Sequence, residues 1–161
     1  MKELTIFTPT FNRAYILPKL YESLSKEPTE SFIWLIVDDG SSDNTEELVE
    51  KWQRNGNVEI VYYKQQNGGK MRAHNKGVEL CTTPLFFCID SDDQILNGAV
   101  NKILEVYKLH QKDELLSGIV AKKLIINRLV SQHLPNIERS TLHNIYKTGF
   151  KGDTSLVFKT V

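Results

Sequence analysis

Strand-like and helix-like segments alternate from the first residues of this 161-residue chain, and no other feature constrains its fold as strongly. Such alternation closes most readily into an α/β fold, a mostly parallel sheet covered by helices. "LTIFT", Leu4 to Thr8, is short, β-branched and closed by Pro9, and reads as the first strand. "FIWLIV", Phe32 to Val37, is an unbroken apolar run that fits a strand buried on both faces. "VEIVYY", Val58 to Tyr63, and "PLFFCI", Pro84 to Ile89, supply the third and fourth strands.

The segments between them carry helical periodicity. Asn12 is placed to cap a helix whose Ile16, Leu17, Leu20 and Leu24 share one face, with Pro18 in the first turns where a missing N–H costs little. Asp43 and Glu46 have the spacing of a capping box ahead of Leu48, Val49 and Trp52. A third helix is expected from about Met71 to Leu80, and a fourth through Val100, Ile103, Leu104 and Tyr107. After Leu116 the alternation weakens: "SGIVAKKLII" and "TSLVFKTV" are strand-like, and Arg128 to Ile145 is ambiguous.

The length suits one domain over 1–161, with a first half over 1–110 and the start of a second over 111–161. The last strand-like run stops at Val161 without a following turn, so the natural protein is expected to continue. Lys plus Arg and Asp plus Glu are both 20, so no whole-molecule field favours nucleic acid or anionic lipid, and any charge that matters is local. No apolar run approaches the roughly 20 residues of a membrane span and no signal peptide opens the chain, which makes a cytoplasmic location the expectation. Cys81 and Cys88 read as buried, reduced thiols. Phe11, Tyr62 and Tyr63 read as core, and the four histidines have no metal-ligand spacing.

In a parallel sheet, ligands bind beyond the carboxyl ends of the strands. Every polar cluster of this sequence falls at that edge: "TPTFNR", "DDGSSD", "QQNGGKMR" and "DSDD" follow the four strands in turn. Asp90 and Asp92 alternate along their loop, so they can share one hard cation, or a cation and a sugar hydroxyl. Their oxygens suit Mg²⁺ or Mn²⁺ when a diphosphate completes the shell. Of Asp38 and Asp39, one is expected to form an Asx turn with Gly40 and the other to accept from a base or ribose. Lys70 and Arg72, beside Gly68 and Gly69, put positive charge where a diphosphate would lie.

Three rival motifs fail in detail. "DSDDQILNGAVN" has Ile95 at the turn glycine of a calcium loop and Asn101 at its bidentate Glu. "NGGKM" lacks a P-loop's first glycine and its Ser or Thr. An aspartyl phosphatase of the haloacid dehalogenase type carries its acid pair after the first strand, and here the pair follows the fourth.

Taken together, "TIFTPTFNR", "WLIVDDGSSDNT", "QQNGGKMRAHNKGVE" and "PLFFCIDSDDQI" closely resemble the nucleotide-sugar-binding half of family 2 glycosyltransferases, inverting enzymes of the GT-A fold, over about residues 3 to 107. The resemblance implies a nucleotide-sugar donor, such as a UDP-sugar, and a divalent metal, Mn²⁺ or Mg²⁺. It places Thr8, Pro9 and Asn12 beside the nucleotide, Asp39 at the uracil and Lys70 near the nucleotide or its phosphates. Asp90 falls on the ribose side, Ser91 among the residues that bind the nucleotide sugar, and Asp92, with Asp90, at the metal; Asp93 is grouped with them as an assistant. The implied catalytic base is an acid following the strand that "SLVFKTV" resembles and is expected beyond Val161; within this sequence Asp153 is the late acid in a Gly-flanked setting, but it precedes that strand, and a structural or acceptor-side role is the expectation for it.

The implied reaction transfers the sugar to a glycan or lipid-linked acceptor during surface polysaccharide synthesis, with peripheral membrane association through segments beyond Val161. Two alternatives stand beside it: a donor-binding domain without turnover, and a sugar nucleotidyltransferase. The second requires a glycine-rich, basic loop after the first strand, where this chain has "PTFNRAY".

Overall fold

The computed structural model describes residues 1–113, 117–122, 124–125, 128–129 and 154–160. In chain order the elements are β1 (Leu4–Thr10), α1 (Leu17–Leu24), β2 (Phe32–Asp38), α2 (Thr45–Asn55), β3 (Ile60–Lys64), α3 (Lys70–Leu80), β4 (Leu85–Cys88) and α4 (Ala99–His110). Then follow β5 (Gly118–Lys122), β6 (Leu124–Ile125), β7 (Arg128–Leu129) and β8 (Thr154–Lys159). The chain divides into two compact units, one of Met1–Ile119 with Val157–Val161 and one of Val120–Leu156. In the second unit, β6 and β7 pair antiparallel, Leu124 opposite Leu129.

The main sheet runs β3-β2-β1-β4-β8-β5. β1 pairs in parallel with β2 and with β4, β2 pairs in parallel with β3, and β8 lies antiparallel to β4. Alternate side chains of the strands therefore feed two different cores. Leu4, Ile6, Trp34, Ile36, Leu85 and Phe87 face α1, α2 and α4 through Leu17, Leu20, Val49, Trp52, Val100 and Leu104. On the opposite face, Phe7, Leu35, Val37 and Phe86 meet α3 at Ala73. Gly77 of α3 lies so close to the Phe7 ring that any Cβ there would run into it. Each fully buried large side chain contributes about 1.5–3 kcal/mol to folding, so the β1–β2 centre is a rigid mount for the loops that leave it.

The ladder also explains a gap at its top edge. The sequence suggests that Pro9 ends the first strand, yet β1 continues to Thr10, with Pro9 opposite Val37 and Thr10 opposite Asp38. Backbone groups alternate sides along a strand. The Thr10 carbonyl accepts the Asp39 N–H on the β2 side, and the Phe7 carbonyl accepts the Ile89 N–H on the β4 side. Pro9 therefore turns its missing N–H toward β4, whose register with β1 has already ended at Phe7 opposite Cys88. β1 and β4 part company there. This is also where strand order reverses, since β2 and β3 build outward on one side of β1 and β4 on the other.

Two caps expected from local spacing are replaced by tertiary bonds. Asn12 does not cap α1, whose N-cap is Ile16 without a side-chain bond. Glu46 does not close a capping box on α2; its carboxylate pairs with Lys64 at 2.8 Å, while Asp43 accepts the Thr45 N–H at 3.1 Å. The N-terminus of α4 is served from a distance, because the buried Glu27 carboxylate accepts the N–H groups of Gly98 at 2.6 Å and Val100 at 2.9 Å. No helix among the described residues is long and apolar enough to cross a membrane.

Candidate active site

Asp38 and Asp39 leave the end of β2 together and tie down different neighbours. Asp38 is fully buried. One of its oxygens accepts the Ser41 N–H at 2.8 Å and hydroxyl at 2.6 Å, and the other accepts the Tyr62 hydroxyl at 2.5 Å. Burial, then the bond to Asp38, pushes the Tyr62 phenol well above its ordinary range, so it stays a donor. The Ser41 hydroxyl in turn accepts the Asn12 N–H at 2.8 Å, and the Asn12 side-chain oxygen accepts the Ser42 N–H at 2.8 Å. Asn12 takes a positive φ of 53° to do this, a conformation that Asn tolerates better than most residues. The loop after β1 is thus stapled to the loop after β2.

Asp39 holds the loop after β3 instead. It is 4% exposed and accepts from the Gln65 amide at 2.6 Å and from the N–H groups of Gly68 at 3.0 Å and Gly69 at 2.7 Å. Burial works against its charge. The bonds from Gln65, Gly69 and Gly68, with Arg72 nearby, prevail and hold its carboxyl below the usual carboxylate range. Gly69 sits at φ 90° as the N-cap of α3, so Asp39 sets where that helix, and Lys70 as its first residue, begins. Gly40, at φ 84°, admits the close approach this needs, since a Cβ there would lie 2.9 Å from the Asn67 nitrogen.

The acids after β4 are open by comparison. Lys70 Nζ lies 2.7 Å from Asp90 Oδ1, with side chains 64% and 43% exposed, and an Arg13 guanidinium nitrogen lies 3.9 Å from Asp92 Oδ2. The bond to Asp90 holds the Lys70 ammonium above its ordinary range. Behind them, burial and then the Asp90 charge push the half-buried Cys88 thiol up to about 11, so it stays a protonated thiol. Cys81 is likewise free and half-buried.

These groups enclose a cleft of about 230 Å³ where β1 and β4 separate. Pro9, Thr10, Phe11 and Arg13 form one wall, Asp90, Ser91 and Asp92 the other, and Asp39, Lys70 and Ala73 the floor side toward α3. A larger hollow of about 470 Å³ lies at the opposite end of the sheet, by Lys2, Gln53 and Glu59, where the strands begin. Among the described residues, no loop that follows a strand's carboxyl end reaches it, so the smaller cleft at the switch point is the candidate site.

Residues 5–157 match the profile of Glycosyl transferase family 2. The chain belongs to that family. It is 29% identical over 107 residues to the GalNAc(5)-diNAcBac-PP-undecaprenol beta-1,3-glucosyltransferase of Campylobacter jejuni, a match covering 65% of this chain and 34% of that protein. The crystal structure of Staphylococcus aureus TarS 1-349 in complex with UDP-GlcNAc superimposes with a TM-score of 0.78 at 21% identity, over 98% of this chain and 45% of that one. Mannosyltransferase PcManGT from Pyrobaculum calidifontis, in complex with GDP-Man and Mn²⁺, gives 0.68 at 15% identity, over 98% and 44%. The chain spans about a third of the length of the Campylobacter relative and less than half of either solved chain. The fold is the expected GT-A arrangement, a mostly parallel sheet flanked by helices.

Within this family 2 glycosyltransferase fold, Pro9, Asp39, Lys70, Asp90, Ser91 and Asp92 come together at one cleft. Thr8 does not line it: the side chain is fully buried, and its hydroxyl accepts the Trp34 indole N–H at 3.0 Å. Asn12 holds loops together rather than lining the cleft wall. Asp153 lies outside the described residues. Phe11 and Tyr63, expected in the core, are 45% and 38% exposed; Phe11 borders the cleft, and Tyr63 sits on β3, the edge strand of the sheet among the described residues. Sequence reasoning also passed over Thr10 and Arg13. Arg13 was legible as a lone cation in the first rim loop. Thr10 was not, because its buried hydroxyl, without a hydrogen-bond partner among the described residues, acquires its place only when β1 runs past Pro9.

Proposed function

We propose that this chain carries the donor-binding machinery of an inverting, metal-dependent glycosyltransferase that moves a sugar from a nucleotide sugar, a UDP-sugar by preference, to a glycan or lipid-linked acceptor in surface polysaccharide synthesis. The observation that carries the proposal is the cleft at the switch point, where two carboxylates on the β4 loop face one cation from the β1 loop and one from the start of α3. The names of the relatives support it: one acts on an undecaprenol-linked glycan, and one solved neighbour holds UDP-GlcNAc. The nucleotide would lie between Pro9 and Asp39, the ribose against Asp90 and Ser91, and the diphosphate toward Lys70. The reading puts the reaction on the cytoplasmic side of a membrane.

The donor set fits a hard divalent ion. Asp90 and Asp92 already accommodate positive charge from Lys70 and Arg13, and their oxygens suit Mn²⁺ or Mg²⁺. Among the described residues no cluster of three or more His, Cys, Asp or Glu forms a complete cage, so donor oxygens would have to finish the shell. A metal held by Asp92 and Asp90 would neutralise charge on the departing diphosphate. Lys70 would add a second positive charge there, fixed in advance by the Asp39 clamp. A carboxylate base would take the acceptor proton as the configuration inverts.

A thermal-shift series with nucleoside diphosphates, with and without Mn²⁺, tests the proposal. UDP with Mn²⁺ should raise the melting temperature, and Asp92→Ala should abolish the rise; no response to any nucleotide would overturn the proposal. Binding without transfer to any acceptor would instead favour the second reading, a donor-binding domain without turnover. The absence of a glycine-rich basic loop after β1 keeps the nucleotidyltransferase reading behind both.

A further inference from the structure

We infer that Lys70 is the resident counter-ion of Asp90 and makes metal binding conditional on the diphosphate, because the carboxylate becomes fully available only when phosphate oxygens draw the ammonium away. The inference rests on the donor-binding reading above and adds a role for one side chain. Its basis is geometric. The ammonium occupies Asp90 Oδ1 at 2.7 Å, and both side chains are open enough to separate.

The root of Lys70 is nevertheless fixed. It is the first residue of α3, whose N-cap Gly69 is held through its N–H by Asp39. A flexible stem on a fixed root can therefore trade one partner for another without moving the loop. Asp92 is not held in the same way: its cation is 3.9 Å away, and the same Arg13 nitrogen also donates to the Tyr15 hydroxyl at 3.2 Å. Lys70 is thus the tighter of the two counter-ions.

Charge balance gives the direction of the effect. Asp90 and Asp92 are each offset by one cation, Lys70 and Arg13 respectively, before any ligand arrives. A divalent ion alone would have to displace Lys70 and then sit beside it, with like charges close together. A diphosphate brings further negative charge for the metal and offers the ammonium a better partner than a single carboxylate oxygen. By linkage, UDP and metal must then strengthen each other's binding by the same factor.

The test titrates Mn²⁺ into the protein with and without saturating UDP, reading free Mn²⁺ by electron paramagnetic resonance, for the wild type, Lys70→Met and Lys70→Arg. The wild type should bind Mn²⁺ at least tenfold tighter with UDP than without. Lys70→Met should bind Mn²⁺ about two- to fivefold tighter than the wild type in the absence of UDP, bind UDP more weakly, and lose most of the coupling. Lys70→Arg should keep the coupling. If Lys70→Met binds Mn²⁺ no tighter than the wild type without UDP, while the wild type still binds it with UDP, the inference fails and the donor-binding reading stands. If the wild type binds no Mn²⁺ even with UDP, the metal-dependent reading fails and takes the inference with it.

Discussion

The acids that follow β2 and the acids that follow β4 leave neighbouring strands at the same edge of one sheet, yet they end in opposite surroundings. Asp38 and Asp39 are buried and accept from N–H and O–H donors that belong to the fold. Asp90 and Asp92 reach the cleft, where cationic side chains from other loops face them. The difference separates carboxylates whose bonds are committed to the fold from carboxylates with exchangeable partners, even though Asp39 also lines the cleft. A carboxylate that accepts several bonds from donors of the fold is committed, because releasing it would break all of them at once. A carboxylate paired with an exposed lysine exchanges partners at small cost, since such pairs contribute about 0–1 kcal/mol.

Asp38→Ala gives the sharpest break in that comparison. It strands the Tyr62 hydroxyl and the Ser41 N–H and should destabilise the fold by about 3 kcal/mol, lowering the melting temperature by roughly 8 °C. A change within about 2 °C would show that Asp38 is not structural. Asp39→Asn comes next, at about 1.5 kcal/mol near neutral pH, read by urea unfolding.

Its pH dependence has a definite sign. Because the folded carboxyl is held below its ordinary value, the stabilisation is present above the unfolded pKa of about 4 and is lost as pH falls through the folded pKa. The gap between wild type and Asp39→Asn should therefore narrow below about pH 4, and a gap that widens there would reverse the assignment. Asp92→Asn should have the smallest effect on folding, within about 0.5 kcal/mol without ligand, and under the proposed function it should abolish metal-dependent stabilisation by UDP. A loss of several kcal/mol in the ligand-free protein would move Asp92 among the carboxylates committed to the fold.

Much of this organisation was legible in the sequence because it depends on period and punctuation. The apolar runs at Leu4, Phe32 and Pro84 became neighbouring strands, and Leu17, Leu20 and Leu24 face the core together. The side-chain assignments that failed are those in which a local rule competed with a distant partner. Asn12 has the identity and position of a helix cap, but the Ser42 N–H 30 residues away holds its oxygen. Glu46 matches a capping box and is taken by Lys64. Glu27 carries no local signal and caps a helix 71 residues further along the chain.

Sequence by itself determined that the chain alternates strand and helix, that four polar loops follow four apolar runs, and that "DSDD" sits at the end of a strand. Those properties belong to single segments, where side-chain period and turn chemistry act over a few residues. Tertiary structure decided which acid does which work. Parallel pairing of β1 with β2 beyond Pro9, and its parting from β4 at Cys88, opens the cleft on one side of Asp39 and leaves Asp38 sealed beneath Tyr62 and Ser41. The two residues are adjacent and chemically identical, so only the donors that the fold brings to each can tell them apart.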